Sequence, residues 1–170
     1  MLEESPRLSH LPSEFLCWTW YATERGLGSL DLGAAGRVDL WVDDRLAFRT
    51  EMDEKPRTVI TGENPSVAPE ARAALAGGKL LGELRLGLRR EDREYEFTLS
   101  GESLDLSRVK LPQMIKGGGE EELQERMYLY EELHYLLRSL LRRFAEERTA
   151  QTWHEETLPG MRAWIQSPPG

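Results

Sequence analysis

The hydrophobic residues of this sequence change their spacing at a triple glycine, and this change constrains the fold more than any other feature. Before Gly117-Gly118-Gly119, apolar residues alternate with polar ones in short segments, as in strands with one buried face. From Glu120 to about Thr149 they recur every three or four residues, as on one side of an α-helix. The sequence therefore predicts an α+β fold in which a long C-terminal helix follows a set of antiparallel strands.

Two antiparallel β-hairpins are predicted to form a curved sheet. Each consists of two alternating segments around a polar turn: residues 38–42 and 46–48 around Asp44-Arg45, and residues 84–88 and 95–99 around Glu91-Asp92. A further strand is predicted at residues 58–60, and extended chain from Ser103 to Lys116.

Helices are predicted to pack against this sheet. The first, from about Pro12 to Arg25, is apolar over more than half its circumference, and Gly26 is predicted to end it in the left-handed conformation. A short helix is predicted between Pro69 and Gly77, and a closing helix near the C-terminus. The predicted apolar side of the long helix consists of Leu123, Met127, Tyr130, Leu133, Leu137, Leu140 or Leu141, and Phe144.

The domain organisation predicted from these patterns is a single domain over residues 11–166. Residues 1–10 contain a proline and no sustained period, so they are predicted to form a loose arm. Residues 167–170, Ser-Pro-Pro-Gly, are predicted to be a non-helical tail.

Charge and cysteine content exclude several classes of protein. The 22 lysines and arginines are outnumbered by 30 aspartates and glutamates, and the net charge of −8 argues against a wholly basic nucleic-acid-binding surface. The single cysteine, Cys17, cannot form an intramolecular disulfide. No apolar stretch approaches the roughly 20 residues that span a bilayer, so no membrane association is predicted, and a cytoplasmic location is expected.

No arrangement of residues typical of an enzyme is found. Glu131 and His134 have the Glu-x-x-His spacing of di-metal helical bundles, but the second such pair that these sites require is missing, which favours a surface histidine. Cys17 lies in an apolar helix, where a thiol is shielded and its pKa is raised. The sequence therefore predicts no catalytic residues, no metal site and no cofactor.

Basic residues are concentrated between Lys79 and Lys116, where eight of them accompany seven acidic residues in a chain that is acidic overall. One interpretation is a salt-bridged hairpin surface; the other is a strip that contacts DNA phosphates together with the basic end of the long helix. The candidate DNA-binding residues are Lys79, Arg85, Arg89, Arg90, Arg93, Arg142 and Arg143.

The long helix also has two interpretations, which are compatible with each other. Its apolar side is predicted to pack against the sheet, or to form an interface with a partner. The acidic first half and basic second half of this helix are complementary to an antiparallel copy, as in a two-fold dimer. The candidate interface residues are Met127, Tyr130, Leu137 and Leu141.

The order and spacing of several segments resemble the C-terminal half of the recombination-associated protein RdgC family. The first two are Glu-Phe-Leu-Cys-Trp-Thr-Trp-Tyr at residues 14–21 and Val-Asp-Leu-Trp-Val-Asp-Asp-Arg-Leu at residues 38–46. The others are residues 71–75 with Gly78-Lys79, Phe97-Thr98-Leu99, residues 106–112 with Lys110-Leu111-Pro112, and residues 125–129. The likeness extends from about Ser13 to Ile165.

This resemblance implies a non-enzymatic protein that binds duplex DNA. The RdgC family forms ring-shaped dimers that encircle duplex DNA with little sequence preference and restrain the recombinase RecA. The chain is therefore predicted to be an accessory protein of DNA recombination or replication, associated with the nucleoid, that binds duplex DNA non-specifically or binds a DNA-bound protein. The alternative is a protein-interaction subunit with no nucleic-acid contact. A homo-oligomer or a complex with a partner protein is expected in either case.

Overall fold

An antiparallel sheet covered by helices confirms the predicted α+β class. A computed structural model describes residues 10–26, 28–50 and 58–167, and these residues form four α-helices and six strands. The predicted arm at residues 1–10 and tail at residues 167–170 lie outside the described residues, except for His10 and Ser167.

The helices lie close to the predicted positions. They are α1 (Leu11–Arg25), α2 (Pro69–Ala76), α3 (Glu120–Thr149) and α4 (Leu158–Gln166), and a π-helical turn at Trp153–Thr157 leads into α4. Proline occupies the first turn of α1 and α2, where its missing N–H removes no helical hydrogen bond, and Pro159 lies in the first turn of α4, directly after the π-helical turn.

The strands form one sheet in the order β1-β2-β4-β5-β6. Their bounds are β1 (Ser29–Asp31), β2 (Arg37–Arg49), β3 (Thr58–Thr61), β4 (Leu80–Arg90), β5 (Arg93–Ser100) and β6 (Leu106–Lys110). All the pairings are antiparallel, and β3 pairs with the second half of β2 on the same side as β1. Within the described residues β6 therefore forms one edge of the sheet.

The predicted turn at Asp44-Arg45 is wrong, because residues 37–49 form one continuous strand. The pairing of β2 with β4 shifts between Val42 and Leu46, where three residues of β2 are accommodated opposite one residue of β4. Such a bulge lets the strand keep its apolar residues on the buried face on both sides of the polar interruption. The first hairpin is instead formed by β2 and β3, which pair from Arg45 to Phe48.

The second hairpin is confirmed. β4 and β5 pair from Glu83 with Ser100 to Arg90 with Arg93, and the turn lies at Glu91-Asp92, where Glu91 has a φ of 56°. The expected extended segment from Ser103 to Lys116 is confirmed in part: its residues 106–110 form β6, and the residues after them are irregular up to α3.

Helix α1 lies on the buried face of the sheet and contacts β2, β4 and β5. Leu16, Cys17, Trp18 and Trp20 are fully buried, in agreement with a helix covered on two sides. Gly26 ends the helix, but with a φ of −90° rather than in the predicted left-handed conformation. A side chain there would lie 2.7 Å from the Ser29 carbonyl oxygen, so the close return of the chain towards β1 requires glycine.

Helix α3 packs beside α1 and completes the core. The ring of Phe144 lies 5.4 Å from the ring of Phe15 and 5.5 Å from that of Trp18. The buried residues of α3 belong to the same hydrophobic cluster as those of the sheet. One side of α3 is thus fixed to the domain, and this determines which side is exposed.

Candidate functional site

The four arginines of the second hairpin do not share one surface. Arg85 and Arg89 alternate with the buried leucines of β4 and therefore lie on the outer face of the sheet. Arg90 ends β4 and Arg93 begins β5, both at positions in step with the buried residues, and Arg93 reaches α3. The hairpin thus places these guanidinium groups on two faces rather than along one outward strip.

Arg85 is surrounded by acidic groups. Its guanidinium group lies 3.4 Å from a carboxylate oxygen of each of Asp43, Asp44 and Glu96, and it donates a hydrogen bond of 3.0 Å to the Arg108 carbonyl oxygen. Only 13% of its side chain is exposed. The two aspartates come from the bulge of β2, which explains why this polar interruption is tolerated there.

Two other candidate DNA-binding arginines are also paired with carboxylates. Arg89 donates to Asp39 at 2.8 Å across the outer face. This pairing raises the pKa of Arg89, chiefly through the hydrogen bond to Asp39. Arg93 binds both carboxylate oxygens of Glu132 in α3, at 2.9 and 2.7 Å, and lies 5.8 Å from the ring centre of Tyr128.

The remaining candidates for DNA binding are dispersed. Lys79 donates to the Thr58 hydroxyl at 2.8 Å, and Arg143 donates to the Asp31 carbonyl oxygen. Arg90 and Arg142 form no ion pair with any of the described residues. The same is true of Arg138, which lies one turn before Arg142 in α3. Arg138 and Arg142 are exposed, so the basic end of α3 retains free positive charge.

Glu132, one of the acidic residues in the first half of α3, is a structural residue whose role was not predicted from the sequence. Its side chain is buried and accepts hydrogen bonds from Arg93, from the Tyr95 hydroxyl at 2.9 Å and from the Tyr128 hydroxyl at 3.3 Å. Burial is the main cause that raises the pKa of Tyr95, and the hydrogen bond to Glu132 is the second. The structural role of Glu132 could have been recognised from its position between Leu129 and Leu136, at helical spacing on the buried side of α3.

The apolar residues of α3 form two separate stripes instead of the single predicted one. The buried stripe consists of Leu129, Leu133, Leu136, Leu140 and Phe144. Of the predicted residues only Leu133, Leu140 and Phe144 belong to it, and Leu129 and Leu136 were missed. The other predicted residues lie on a second stripe, turned away from the core by about a quarter of the helix circumference.

We call this second stripe the seam: Leu123, Met127, Tyr130, His134, Leu137 and Leu141. Steps of four and three residues alternate along it, so all six side chains follow one line on the helix. Leu123 and Met127 are 54% and 56% exposed, Tyr130 and Leu141 are 37% and 39% exposed, and Leu137 is partly buried. All four candidate interface residues are thus brought together on one surface.

A groove lies beside the C-terminal half of the seam. It has a volume of about 280 Å³ and is bounded by Leu137 and Leu141 of α3 and by Leu104 and Leu106, which precede and begin β6. Phe15 and Leu99 form part of its floor. Asp105, His134 and Arg138 also line the groove, so the seam and the groove make a largely apolar surface between α3 and the edge of the sheet.

No protein-family model matches this chain, and no curated protein is significantly similar to it in sequence. The resemblance to the RdgC family therefore remains a prediction from the sequence.

Cys17 and His134, which were considered for chemistry, differ in their exposure. Cys17 is fully buried, and this burial raises the pKa of its thiol. His134 is exposed, with its Nδ1 atom 2.7 Å from the Tyr130 carbonyl oxygen. In the part of the chain that the structure describes, no three His, Cys, Asp or Glu side chains are grouped to hold a metal ion, and no helix is long and apolar enough to cross a membrane. The apolar surface of α3 is the most distinctive candidate site.

Proposed function

We propose that this chain is a non-enzymatic, cytoplasmic protein-interaction subunit that binds its partner through the seam of α3. The observation that supports this proposal most strongly is the alignment of exposed apolar side chains along one line beside an apolar groove. Scattered exposed apolar residues are ordinary, but a contiguous apolar surface is typical of a protein interface.

The state of the basic residues favours this function over duplex DNA binding. Phosphate contacts require cationic groups that are free to face the nucleic acid. Arg85, Arg89 and Arg93 are each engaged by carboxylates, so binding a phosphate there would replace an existing ion pair. The net binding free energy gained from each such phosphate contact would therefore be small.

Leu137→Asp is expected to abolish the complex formed through the seam, because it places a charge where the partner's apolar surface must pack. The measurement is the apparent mass of the protein at its native level in cell extract, by gel filtration with immunodetection. The wild-type chain should elute well above 19.5 kDa and the variant near that mass. Arg89→Glu, on the outer face of the sheet, is the control and should leave elution unchanged.

Leu123→Asp provides a second variant, because Leu123 is more exposed than Leu137 and its substitution leaves the core intact. Circular dichroism should show that both variants are folded. A wild-type protein that elutes as a monomer, or folded Leu123→Asp and Leu137→Asp variants that elute like the wild type, would contradict the proposed function.

The second candidate function is non-specific binding of duplex DNA, with nucleoid association, as the RdgC resemblance implies. The specific observation in its favour is that Arg138 and Arg142 are exposed, lie one turn apart and form no ion pair with the described residues. Together with Arg143 they could follow a phosphate backbone.

If the chain binds DNA in this way, its affinity should fall steeply between about 50 and 200 mM salt, because counterions are released on binding. Arg142→Ala should reduce the slope of log affinity against log salt by about one, whereas Arg89→Ala, which removes an arginine already paired with Asp39, should not. Fluorescence anisotropy with a short labelled duplex measures both. Absent or salt-insensitive binding by the wild-type protein argues against this function.

A further inference from the structure

We infer that the partner on the seam is a second copy of this chain, with the two α3 helices packed antiparallel about a two-fold axis that crosses the seam between Tyr130 and His134. This inference rests on the proposed function and names its partner. In this register Leu123 faces the partner's Leu141, Met127 faces the partner's Leu137, and Tyr130 faces the partner's His134. Each contact occurs twice, as an isologous interface requires.

The exposed side chains and the groove of one copy are complementary to each other in this arrangement. The N-terminal half of the seam presents Leu123 and Met127, the most exposed apolar members of the seam. The C-terminal half is recessed, because the groove lies beside Leu137 and Leu141. Antiparallel packing places the projecting half of each copy against the recessed half of the other, so that Leu123 and Met127 insert into the partner's groove.

The charges of α3 favour the same direction. Residues 120–126 contain four glutamates and one arginine, for a net charge of −3, and residues 138–144 contain three arginines and no acidic residue, for a net charge of +3. In the proposed register these two segments lie opposite each other, twice per dimer. Parallel packing would instead place each segment against its own charge, which is unfavourable.

Two like-charge encounters oppose this direction: Arg126 lies level with the partner's Arg138, and the Glu131 side chains of the two copies meet at the centre of the interface. The exposed Glu131 side chains of the two copies flank the two-fold axis, close to His134 and the partner's Tyr130. Glu132 does not take part, because it is buried against Arg93 and Tyr95 of its own domain. These like-charge encounters are set against two regions of opposite net charge.

Analytical ultracentrifugation of the purified chain tests the dimer. The wild-type protein should sediment with twice the monomer mass of 19.5 kDa. Met127→Glu should weaken dimerisation at least about thirtyfold, the loss expected for a residue central to an interface. Tyr135→Glu is the matched control: Tyr135 is 39% exposed on the same helix but lies outside the seam, so this variant should remain dimeric. A monomeric wild-type protein, or equal effects of the two variants, would overturn the inference.

Cysteine cross-linking tests the direction and the register. The only native cysteine is buried, so Leu123→Cys and Leu141→Cys chains each carry one reactive thiol. Mild oxidation should give a covalent dimer when the two variant proteins are mixed, and little when either is oxidised alone. Efficient cross-linking of Leu123→Cys with itself would indicate parallel packing and overturn the inference. Absence of cross-linking in the mixture would overturn the register.

These outcomes separate the two proposals. If the purified chain is monomeric while the complex in cell extract is lost in Leu137→Asp, the seam binds another protein and only the second-copy inference fails. If neither the purified chain nor the extract shows a seam-dependent complex, the proposed function fails as well.

Discussion

Replacing Glu132 with alanine should lower the free energy of unfolding by about 3 kcal/mol, because it removes the only buried carboxylate that ties α3 to the second hairpin among the described residues. Glu132 accepts two hydrogen bonds from Arg93 and one each from the Tyr95 and Tyr128 hydroxyls. Without it, the Tyr95 hydroxyl remains buried and loses this hydrogen bond. Arg93 is 30% exposed and can turn to water, which keeps the cost below that of a fully enclosed ion pair.

Urea denaturation at neutral pH measures this effect. Glu131→Ala is the matched control, since it removes the adjacent, exposed carboxylate and should change the free energy of unfolding by less than about 0.5 kcal/mol. If the free energy of unfolding fell equally in the two variants, the contacts of Glu132 would contribute nothing to stability.

Local sequence patterns were sufficient to predict the elements that depend on local chemistry. The triple glycine and the acidic first turn predicted the start of α3 at Glu120, and alternation around Glu91-Asp92 predicted the second hairpin. The continuous course of β2 was not predictable in this way. Asp44-Arg45 has the polar character of a turn, and it stays within a strand because Arg45 pairs with Thr61 of β3 and Arg85 contacts Asp43 and Asp44.

The candidate site was predictable in its residue types but not in its environment. The spacing of Met127, Tyr130, Leu137 and Leu141 was sufficient to place them on one side of a helix. The sequence could not show that the neighbouring stripe, centred on Leu133 and Leu136, would be the one buried in the core. This burial leaves the four residues outside the buried stripe. Similarly, the carboxylate partners of Arg89 and Arg93 are 50 and 39 residues away, in β2 and α3. The pairing of these two arginines therefore depends on tertiary structure.

Arg148→Ala should destabilise the protein by about 3–5 kcal/mol at neutral pH, because it leaves the buried carboxylate of Glu14 without its ion-pair partner. Glu14 is 1% exposed, and its Oε1 atom accepts a hydrogen bond of 2.6 Å from Arg148. Its Oε2 atom has no hydrogen-bond partner among the described residues. Arg148 also lies 5.0 Å from the ring centre of Trp153, a contact that contributes roughly 0.5–2 kcal/mol at any pH.

The cost of Arg148→Ala should decrease as the pH falls. Burial raises the pKa of Glu14, and the charges of Arg148 and, to a smaller extent, His10 oppose this rise. A carboxyl group with a raised pKa in the folded state stabilises the fold most when it is protonated, and this stability is lost as the pH rises through the folded-state pKa. Removing Arg148 raises that pKa further, so acidification should restore part of the lost stability by neutralising Glu14.

Urea denaturation of Arg148→Ala and wild type at about pH 7 and about pH 4.5, near the ordinary pKa of a glutamate, measures this dependence. The same comparison in a Glu14→Gln background is the control, since no carboxyl group titrates there and the cost of losing Arg148 should be the same at both pH values. A cost of Arg148→Ala that does not change with pH in the native background would mean that the buried charge of Glu14 is not its cause. The loss of the Trp153 contact, which does not depend on the protonation of Glu14, would then account for the destabilisation.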